Sequence, residues 1–508
     1  MFTKLIKNTN MLTKNTIYFS IIILLVSVTS FKHELWADEG YILISSIEFS
    51  FYEILDHYRY VGYFPLHNFF IKIIYIFSGN AIFSLKIITI IFFVISCLIL
   101  SGIREIPLSI KVLILLTYPI AAEFSLINRH YIFFVPAIFY LILANQRKCG
   151  YVFLWLSFLN VSGPFGLIIS FSYKICNYKL FFSYLKKEKI IIFFYIIFAI
   201  ICFYYLFPFD LENFERKKFR LWNEYSIPKF EKIKYIISYI ILSINYIPEI
   251  HKIDNIWSFY ASNYKIVKIF LFISTLQLLL TFYCLFNKDK KYFIFLFLIF
   301  VFFLLAFFIQ PRGDWRHYFI FTVIFYAINL KLLFITKNNK NILLKKIYRK
   351  AFLISLITSV CLSITFLYKE FFYNFSQGKE VAYFVKKNGI QCKNITSYPP
   401  SASHSWIPYL DKSCKPYQFG LDKYTSFHDD HTKHNFKYNN SKLFLNPKTE
   451  YIILKCELTD RYIEPCNANF NYYRNLINYN TKNKVFYFNQ KTLNGYEKFI
   501  IFQIIKVI

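Results

Sequence analysis

Two adjacent carboxylates, Asp38 and Glu39, follow directly after the first apolar segment of this chain, residues 16–30. A charged side chain inside the hydrocarbon of a bilayer costs roughly 2.5–3.5 kcal/mol. The pair therefore lies either in a solvated loop or in a polar cavity at the membrane boundary. In a cavity, one carboxylate could act as the general base that deprotonates a hydroxyl group. The other could orient it or hold a divalent cation, which prefers oxygen ligands.

Two further segments carry side chains that suit an anionic or polar ligand. His67 follows Pro65 at the start of a short apolar segment and could carry a proton or donate a hydrogen bond; alternatively it is simply hydrated. Arg129 and Tyr131 stand at the end of a longer apolar run. A guanidinium at that depth suits a phosphate group, although an arginine that extends to the membrane surface fits the same pattern.

A last segment, residues 310–318, contains Arg312, Arg316 and His317. Positive charge at an outer membrane boundary opposes the usual bias of lysine and arginine towards the cytosolic side, so it favours an anionic ligand. A lipid-linked phosphate is the natural candidate, because it lies at this depth and carries the charge. All of these segments fall on one face of the membrane in the topology below, which was assigned without them.

The composition defines the class of protein that must position these side chains. The chain has 508 residues, 56% of them hydrophobic, and apolar runs of spanning length recur along its first 370 residues. This pattern is typical of a polytopic α-helical membrane protein. A net charge of +30 could indicate a nucleic-acid partner. The lysines instead cluster in short loops between apolar runs, which favours contact with membrane lipids and no nucleic acid.

The basic loops assign one orientation to about eleven predicted spans, with the N-terminus inside and an acidic outer loop at residues 32–63. Two amphipathic or short apolar segments, residues 65–76 and 233–248, are predicted to lie flat at the membrane surface. The predicted spans are residues 16–31, 81–101, 111–127, 131–145, two short helices within 150–173, 190–208, 264–286, 292–309, 318–335 and 351–368.

The division predicted from this pattern is a membrane domain, residues 1–368, and an extracytoplasmic α+β domain, residues 369–508. The second part is polar, with a helical pattern at 380–387 and strand-like runs at 451–454, 485–488 and 499–507. This second part also contains four of the ten cysteines, Cys392, Cys414, Cys456 and Cys466. In an oxidising compartment four cysteines fit two disulfides; a zinc site is the alternative, but no C-x-x-C spacing occurs. Three pairings are open, of which one is Cys392–Cys414 with Cys456–Cys466.

The order and sidedness of these motifs resemble the C-type integral-membrane glycosyltransferases, the superfamily of the protein O-mannosyltransferases and the aminoarabinose transferase of lipid A. The resemblance covers roughly residues 15–370 and departs from the family where Phe64-Pro65 replaces a double proline; residues 369–508 have no counterpart. The segments that carry it are Asp38-Glu39, Pro65 to Ile74, Asn128 to Tyr131, Gly163 to Gly166 and Pro311 to Tyr318.

The predicted fold is thus an all-α polytopic membrane protein of about eleven transmembrane helices, similar to the C-type glycosyltransferases, with the small C-terminal α+β domain that the sequence pattern adds. The resemblance implies transfer of a sugar from a polyprenyl-phosphate donor to a lipid, glycan or protein acceptor at the outer face of the cytoplasmic (inner) membrane, with inversion and no covalent intermediate. Asp38 is then the catalytic base, with Glu39 beside it. The implied substrate-binding residues are His67, Arg129, Tyr131, Arg312, Arg316 and His317.

Two other classes of function remain open from the sequence. A transporter or flippase of lipid-linked sugars usually has ionisable residues in the middle of its spans and inverted repeats. The predicted spans are nearly free of charge except for Lys86, and no repeat is evident. The other class is a non-catalytic membrane scaffold that presents residues 369–508. In that case Asp38 and the three arginines could be replaced together without loss of function.

Overall fold

The chain is mostly helical. The computed structural model describes residues 2–61, 63–144, 148–206, 229–245, 264–309, 315–336, 342–373, 376–398, 400–410, 414–418, 423–426, 449–456, 481–487 and 498–506. Its helices are α1 (Phe2–Lys32), α2 (Ala37–Glu48), α3 (Phe51–Val61), α4 (Leu66–Ser78), α5 (Ala81–Ser101), α6 (Leu108–Leu115), α7 (Phe134–Leu143), α8 (Cys149–Val161), α9 (Pro164–Cys176), α10 (Tyr178–Lys187), α11 (Lys189–Leu206), α12 (Lys229–Leu242), α13 (Tyr264–Lys288), α14 (Lys290–Ile309), α15 (Trp315–Leu330), α16 (Ile342–Phe372) and α17 (Gly378–Lys387).

The long apolar helices are those of a membrane protein. Within the described ranges, five helical stretches are long and apolar enough to cross a bilayer: α5, α13, α14, α16, and α15 together with the π-helical turn Lys331–Ile335 that continues it. A sixth span results if α1 and α2 are counted together, although they are bent by 86° at residues 33–36. Shorter apolar stretches of 10–17 residues are Leu66–Ser78, His130–Leu143, Cys149–Val161, Pro164–Cys176 and Lys189–Tyr205. The eleven spans predicted from the sequence are therefore not confirmed.

The predicted spans 111–127 and 131–145 differ from the structure, which breaks the first and shortens the second. Helix α6 ends at Leu115, a π-helical turn occupies Tyr118–Phe124, and a 3₁₀ turn at His130–Phe133 leads into α7. Pro119 lies in the first turn of the π segment and cannot donate a backbone hydrogen bond, so it interrupts a continuous α-helix. The break directs Asn128 and Arg129 away from the lipid and towards the start of α2.

The acidic segment 32–63, predicted as a loop, contains α2 and α3 instead. Helix α2 carries three consecutive apolar residues, Ile42, Leu43 and Ile44, and all three are buried. The Glu39 carboxylate accepts a hydrogen bond from the backbone N–H of Trp36 at the start of the helix, over 3.3 Å. This is the reciprocal contact that a glutamate at the third helical position makes at a helix N-terminus.

Of the segment 233–248, predicted to lie flat on the membrane surface, residues 233–245 belong to α12 and to a 3₁₀ turn at Ser243–Asn245, and the last three lie outside the described residues. It packs on the long helices, because the Thr322 hydroxyl of α15 donates to the Ser243 carbonyl at 2.8 Å and Ile240 and Ile244 are fully buried. Tertiary packing therefore covers the face that amphipathicity alone would leave to the interface.

The C-terminal part has a mixed sheet with strand order β3-β2-β1-β4-β6-β5 in the described residues. Strand β1 is parallel to β2 and β4, whereas the other pairs are antiparallel. Helix α17 covers it and shares its core with Trp406 and Ile453. The strands are β1 (Ile395–Tyr398), β2 (Tyr417–Gln418), β3 (Lys423–Tyr424), β4 (Tyr451–Cys456), β5 (Thr481–Tyr487) and β6 (Lys498–Lys506).

One of the predicted disulfides, Cys392–Cys414, is present. It closes a loop that contains two short 3₁₀ turns, Pro400–Ser405 and Ile407–Tyr409. The other predicted pair, Cys456–Cys466, lies outside the described residues, since Cys466 is not among them.

The closed loop of the C-terminal part packs directly on α2. Ile44 of α2 belongs to the same buried core as Trp406, so the helix is shared by the two parts of the chain. The Tyr409 hydroxyl accepts a hydrogen bond from the Leu35 backbone N–H at 2.7 Å, and the Ser376 hydroxyl donates to the Leu35 carbonyl at 2.9 Å. The C-terminal part therefore holds the backbone just before Asp38 and Glu39.

Gly40→Ala is expected to destabilise this contact by about 1–3 kcal/mol or more, the usual cost of inserting a methyl group into a packed interior. A β-carbon at Gly40 would stand 1.8 Å from the carbonyl oxygen of His404, and both atoms belong to backbone segments that cannot rotate away. The measurement is thermal unfolding of the purified protein in detergent. Gly150→Ala is the matched control, because its β-carbon meets nothing closer than 3.8 Å. Equal melting temperatures for the two variants would contradict the contact.

Candidate functional site

Asp38 and Arg129 form an ion pair across 91 residues of chain. Asp38 lies in the first turn of α2, and Arg129 directly precedes the 3₁₀ turn at His130–Phe133. The guanidinium also lies over the Trp36 ring, with 5.2 Å between Cζ and the ring centre. The Asp38 side chain is 45% exposed, whereas that of Arg129 is only 13% exposed. An accessible carboxylate is thus held against a largely buried cation.

Glu39 occupies a different environment from its neighbour, because it is fully buried. Besides the Trp36 N–H, its oxygens accept hydrogen bonds from the backbone N–H of Asn128 at 2.8 Å, from the Asn128 side-chain amide at 2.7 Å and from His33 Nε2 at 3.0 Å. Glu39 therefore joins the residue before Arg129 to the start of α2. Its carboxylate faces protein donors and is enclosed by them, which suits orientation of Asp38 rather than proton transfer to a substrate.

A second buried carboxylate completes this network. His33 Nδ1 lies 2.8 Å from Glu370 Oε1 near the end of α16, and the Lys86 ammonium of α5 donates to the His33 carbonyl at 2.6 Å. The His33 and Lys86 side chains are enclosed by protein. Burial disfavours the His33 imidazolium, but the carboxylates of Glu39 and Glu370 outweigh it and raise the pKa of His33 to about 9.

The stability that these ion pairs contribute is expected to fall at alkaline pH. A histidine whose pKa is raised in the folded state contributes its full stabilisation below the pKa that it has in the unfolded chain, which is 6.5. This contribution is lost as pH rises through about 9. The groups that face His33 are Glu39 from α2, Glu370 from α16, Lys86 from α5 and the adjacent Glu34. Burial raises the pKa of Glu34 to about 7. The measurement is the melting temperature from about pH 6 to about pH 10. The difference in melting temperature between wild type and His33→Gln should shrink as pH rises. A difference that stays constant would contradict this prediction.

Three other motifs from the sequence converge on the segment that carries Arg129, next to the Asp38–Arg129 pair. The Tyr131 hydroxyl and His317 Nε2 are 2.8 Å apart, and the His317 ring lies 5.3 Å from that of Phe165. The rings of Tyr63 and His130 are stacked at 4.3 Å. Segments 63–67, 128–131, 163–166 and 315–318 thus converge, although they are distant in the chain.

His67 is buried in α4, where its ring packs against that of Phe133 at 6.0 Å. Its Nε2 has no hydrogen-bond partner among the residues that the structure describes. The adjacent Asn68 amide donates to Ser46 at 2.8 Å and to Tyr58 at 2.7 Å. His67 therefore belongs to the packing behind the 3₁₀ turn and does not contact Asp38 or Arg129 in the described part of the chain.

The remaining predicted cations lie beyond what the structure describes. Arg312 is outside the described residues, and Arg316 belongs to α15 but its side chain is not described. Their proposed contact with a phosphate stays a prediction.

Sequence reasoning missed the roles of His33, Glu370 and Asn128. One signal was available: Lys86 is a charged residue inside a predicted span, and a lysine buried in a membrane needs acidic or carbonyl partners. His33 stands only six residues before Glu39, but nothing in that spacing indicates a bridge to a carboxylate 337 residues away.

The carboxylate pair does not fit a divalent cation. Asp38 is paired with Arg129, and the Glu39 oxygens accept the four hydrogen bonds given above. Across the described ranges, no three His, Cys, Asp or Glu side chains are grouped so that they could hold a metal ion.

An apolar cavity of about 610 Å³ lies between α4, α8 and α11. Its walls are almost entirely aromatic and aliphatic, and they include Leu66, the residue before His67. Its other principal lining residues are Phe70, Phe153, Phe158, Tyr195 and Phe198.

Comparison of the chain with protein-family models, with curated proteins and with solved structures gave no match.

Proposed function

We propose that the protein is a membrane glycosyltransferase that moves a sugar from a polyprenyl-phosphate donor to a hydroxyl acceptor at the outer face of the cytoplasmic membrane. The observation that carries this proposal is the Asp38–Arg129 pair, an accessible carboxylate against a mostly buried guanidinium. These are the two groups that such a transfer needs, a base for the acceptor and a cation for the phosphate.

In the proposed reaction, the donor phosphate binds the Arg129 guanidinium and thereby releases the Asp38 carboxylate. The acceptor oxygen attacks the anomeric carbon, and its proton passes to Asp38. The bond between that carbon and the phosphate oxygen breaks at the same time, so the polyprenyl phosphate leaves with one more negative charge. Arg129 balances that charge, and its side chain is only 13% exposed, which strengthens the electrostatic stabilisation.

The apolar cavity between α4, α8 and α11 supports a lipid-linked donor. It is lined by carbon surface and lies beside α4, the helix that carries His67. A prenyl chain could enter this cavity from the bilayer and make van der Waals contacts with its aromatic walls, while its phosphate extended to the membrane boundary.

The disulfide supports the outer face as the side of the reaction. Disulfides persist in oxidising compartments and are rare in the cytosol. The Cys392–Cys414 loop packs on α2, so Asp38 and this disulfide belong to the same side of the membrane.

A flippase or transporter of lipid-linked sugars is the second candidate. The observation in its favour is the cluster of buried ionisable groups, His33, Glu39, Lys86 and Glu370, because such groups mark transport pathways in membrane proteins. Against it, these groups bond to one another, and the accessible carboxylate of Asp38 beside them is paired with Arg129.

The two candidates are distinguished by assay of purified protein in detergent micelles, which have no second compartment. An enzyme still transfers labelled sugar from polyprenyl phosphate to an acceptor, whereas a flippase does not. The substrates come from mass spectrometry of surface glycans and lipid-linked sugars in cells with and without the gene. Loss of one sugar from a glycan, with its lipid-linked form accumulating, supports the enzyme; unchanged profiles would contradict both candidates.

A further inference from the structure

The network behind Asp38 contains four ionisable side chains whose charges cancel. Glu39 and Glu370 are carboxylates, Lys86 is an ammonium, and His33 stands between the two carboxylates at 3.0 Å and 2.8 Å. A neutral imidazole carries one N–H and can donate only one hydrogen bond. Both bonds to carboxylates therefore require the imidazolium, and this protonation state makes the group of four neutral. Neutrality is the condition under which such charges can be buried together.

This network meets the Asp38–Arg129 pair through neighbours on both sides. Glu39 is the residue after Asp38, and Asn128 is the residue before Arg129. The Glu39 carboxylate accepts hydrogen bonds from the backbone N–H and from the side-chain amide of Asn128. The distance between the start of α2 and the segment before Arg129 therefore depends on where this carboxylate points. The direction of that carboxylate depends in turn on His33, which contacts its Oε2, while Asn128 contacts its Oε1.

The other end of the network reaches the C-terminal part of the chain. Glu370 lies in the last turn of α16, just before the segment in which Ser376 bonds to the Leu35 carbonyl. The Lys86 ammonium holds the His33 carbonyl from α5. His33 is therefore the point at which α2, α5 and α16 are joined by polar contacts.

We propose that His33 is a positioning residue for the transfer: by bridging Glu39 and Glu370 it holds Asp38 and Arg129 at the separation that the reaction needs. This inference rests on the proposed function. His33 itself touches no reacting atom, because it is enclosed by the protein. Its loss acts through Glu39, and a displacement of about 1 Å at reacting groups can reduce a rate about 100-fold.

The test compares His33→Gln, Glu370→Gln and the double variant with wild type, using kcat and KM per folded, monodisperse protein. Each single variant leaves one buried charge unbalanced, whereas the double variant leaves only Glu39 and Lys86, which balance. We expect kcat of His33→Gln to fall about 100-fold with KM within about twofold of wild type. The double variant should regain folded yield but keep the low kcat. Lys111→Gln is the control, since Lys111 is a buried lysine of α6 whose ammonium donates to the Ser101 carbonyl at the far end of α5.

A readout without catalysis separates this inference from the proposed function. Hydrogen exchange at residues 126–131 should be faster in His33→Gln and in the double variant than in wild type, because Glu39 holds the Asn128 N–H. If the wild type transfers no sugar, the proposed function fails and the exchange measurement alone decides the coupling. Wild-type kcat per folded molecule, or unchanged exchange at 126–131, would overturn the inference. If the single variants do not fold, the double variant decides in the same way.

Discussion

Replacement of Asp38 by asparagine is expected to reduce sugar transfer by about 10²–10⁴-fold, the range that one general base contributes. The amide has the shape of the carboxylate and can still accept a hydrogen bond from Arg129, but it cannot take the acceptor proton. Stability should change little, because the side chain is 45% exposed. The measurement is kcat with purified protein in detergent, together with the melting temperature.

Asp56→Asn is the matched control for this substitution. Asp56 lies on α3, in the same acidic segment, and its side chain is exposed to solvent. Its replacement should leave the rate at the wild-type level. Transfer by Asp38→Asn at the wild-type rate would remove Asp38 as the base, and a scaffold that only presents the C-terminal part predicts that result.

Arg129→Gln is expected to lower kcat by about 10²–10³-fold, which is the usual loss when one donor to a developing negative charge is removed. Arg129→Lys should recover only part of this loss. A lysine presents a compact point charge and cannot make the paired, planar contacts of a guanidinium with a phosphate or with the Trp36 ring. The assay is the same, with binding of a polyprenyl phosphate as a second measurement.

Arg59→Gln provides the control for arginine removal. Arg59 is also an arginine that lies over an aromatic ring, with its Cζ 5.1 Å from the centre of Tyr204, but it belongs to α3. Its loss should leave donor binding unchanged. Unaltered donor affinity and rate in Arg129→Gln would show that the phosphate is bound elsewhere, and Arg312 and Arg316 would then be the residues to replace.

Several elements follow from local sequence and were predicted closely. Helix α5 has the predicted bounds, residues 81–101, because a continuous apolar run between a capping asparagine and a glycine defines a span by its length alone. The hairpin of α8 and α9 turns at Gly163, whose φ of 84° is a conformation that glycine adopts readily. Strands β4, β5 and β6 match the apolar runs predicted for them.

Other elements depend on contacts that no local pattern contains. Residues 32–63 carry enough acids to resemble a solvated loop, yet α2 is buried on both sides, by the membrane helices and by the C-terminal core. The break of residues 111–145 follows from Pro119, but the position of Arg129 after the break follows from the bond between Asn128 and Glu39.

The sequence by itself determined that the protein has apolar membrane helices, a separate polar C-terminal part and a small set of charged residues at membrane boundaries. These properties depend on the free energy of transferring each segment between water and lipid, which is additive along the chain. Only the tertiary structure decided that Asp38 meets Arg129, that Glu39 is enclosed by His33 and Asn128, and that Gly40 lies against His404. Such pairings depend on which helices pack together, and residues 91 or 337 positions apart carry no local signal of that choice.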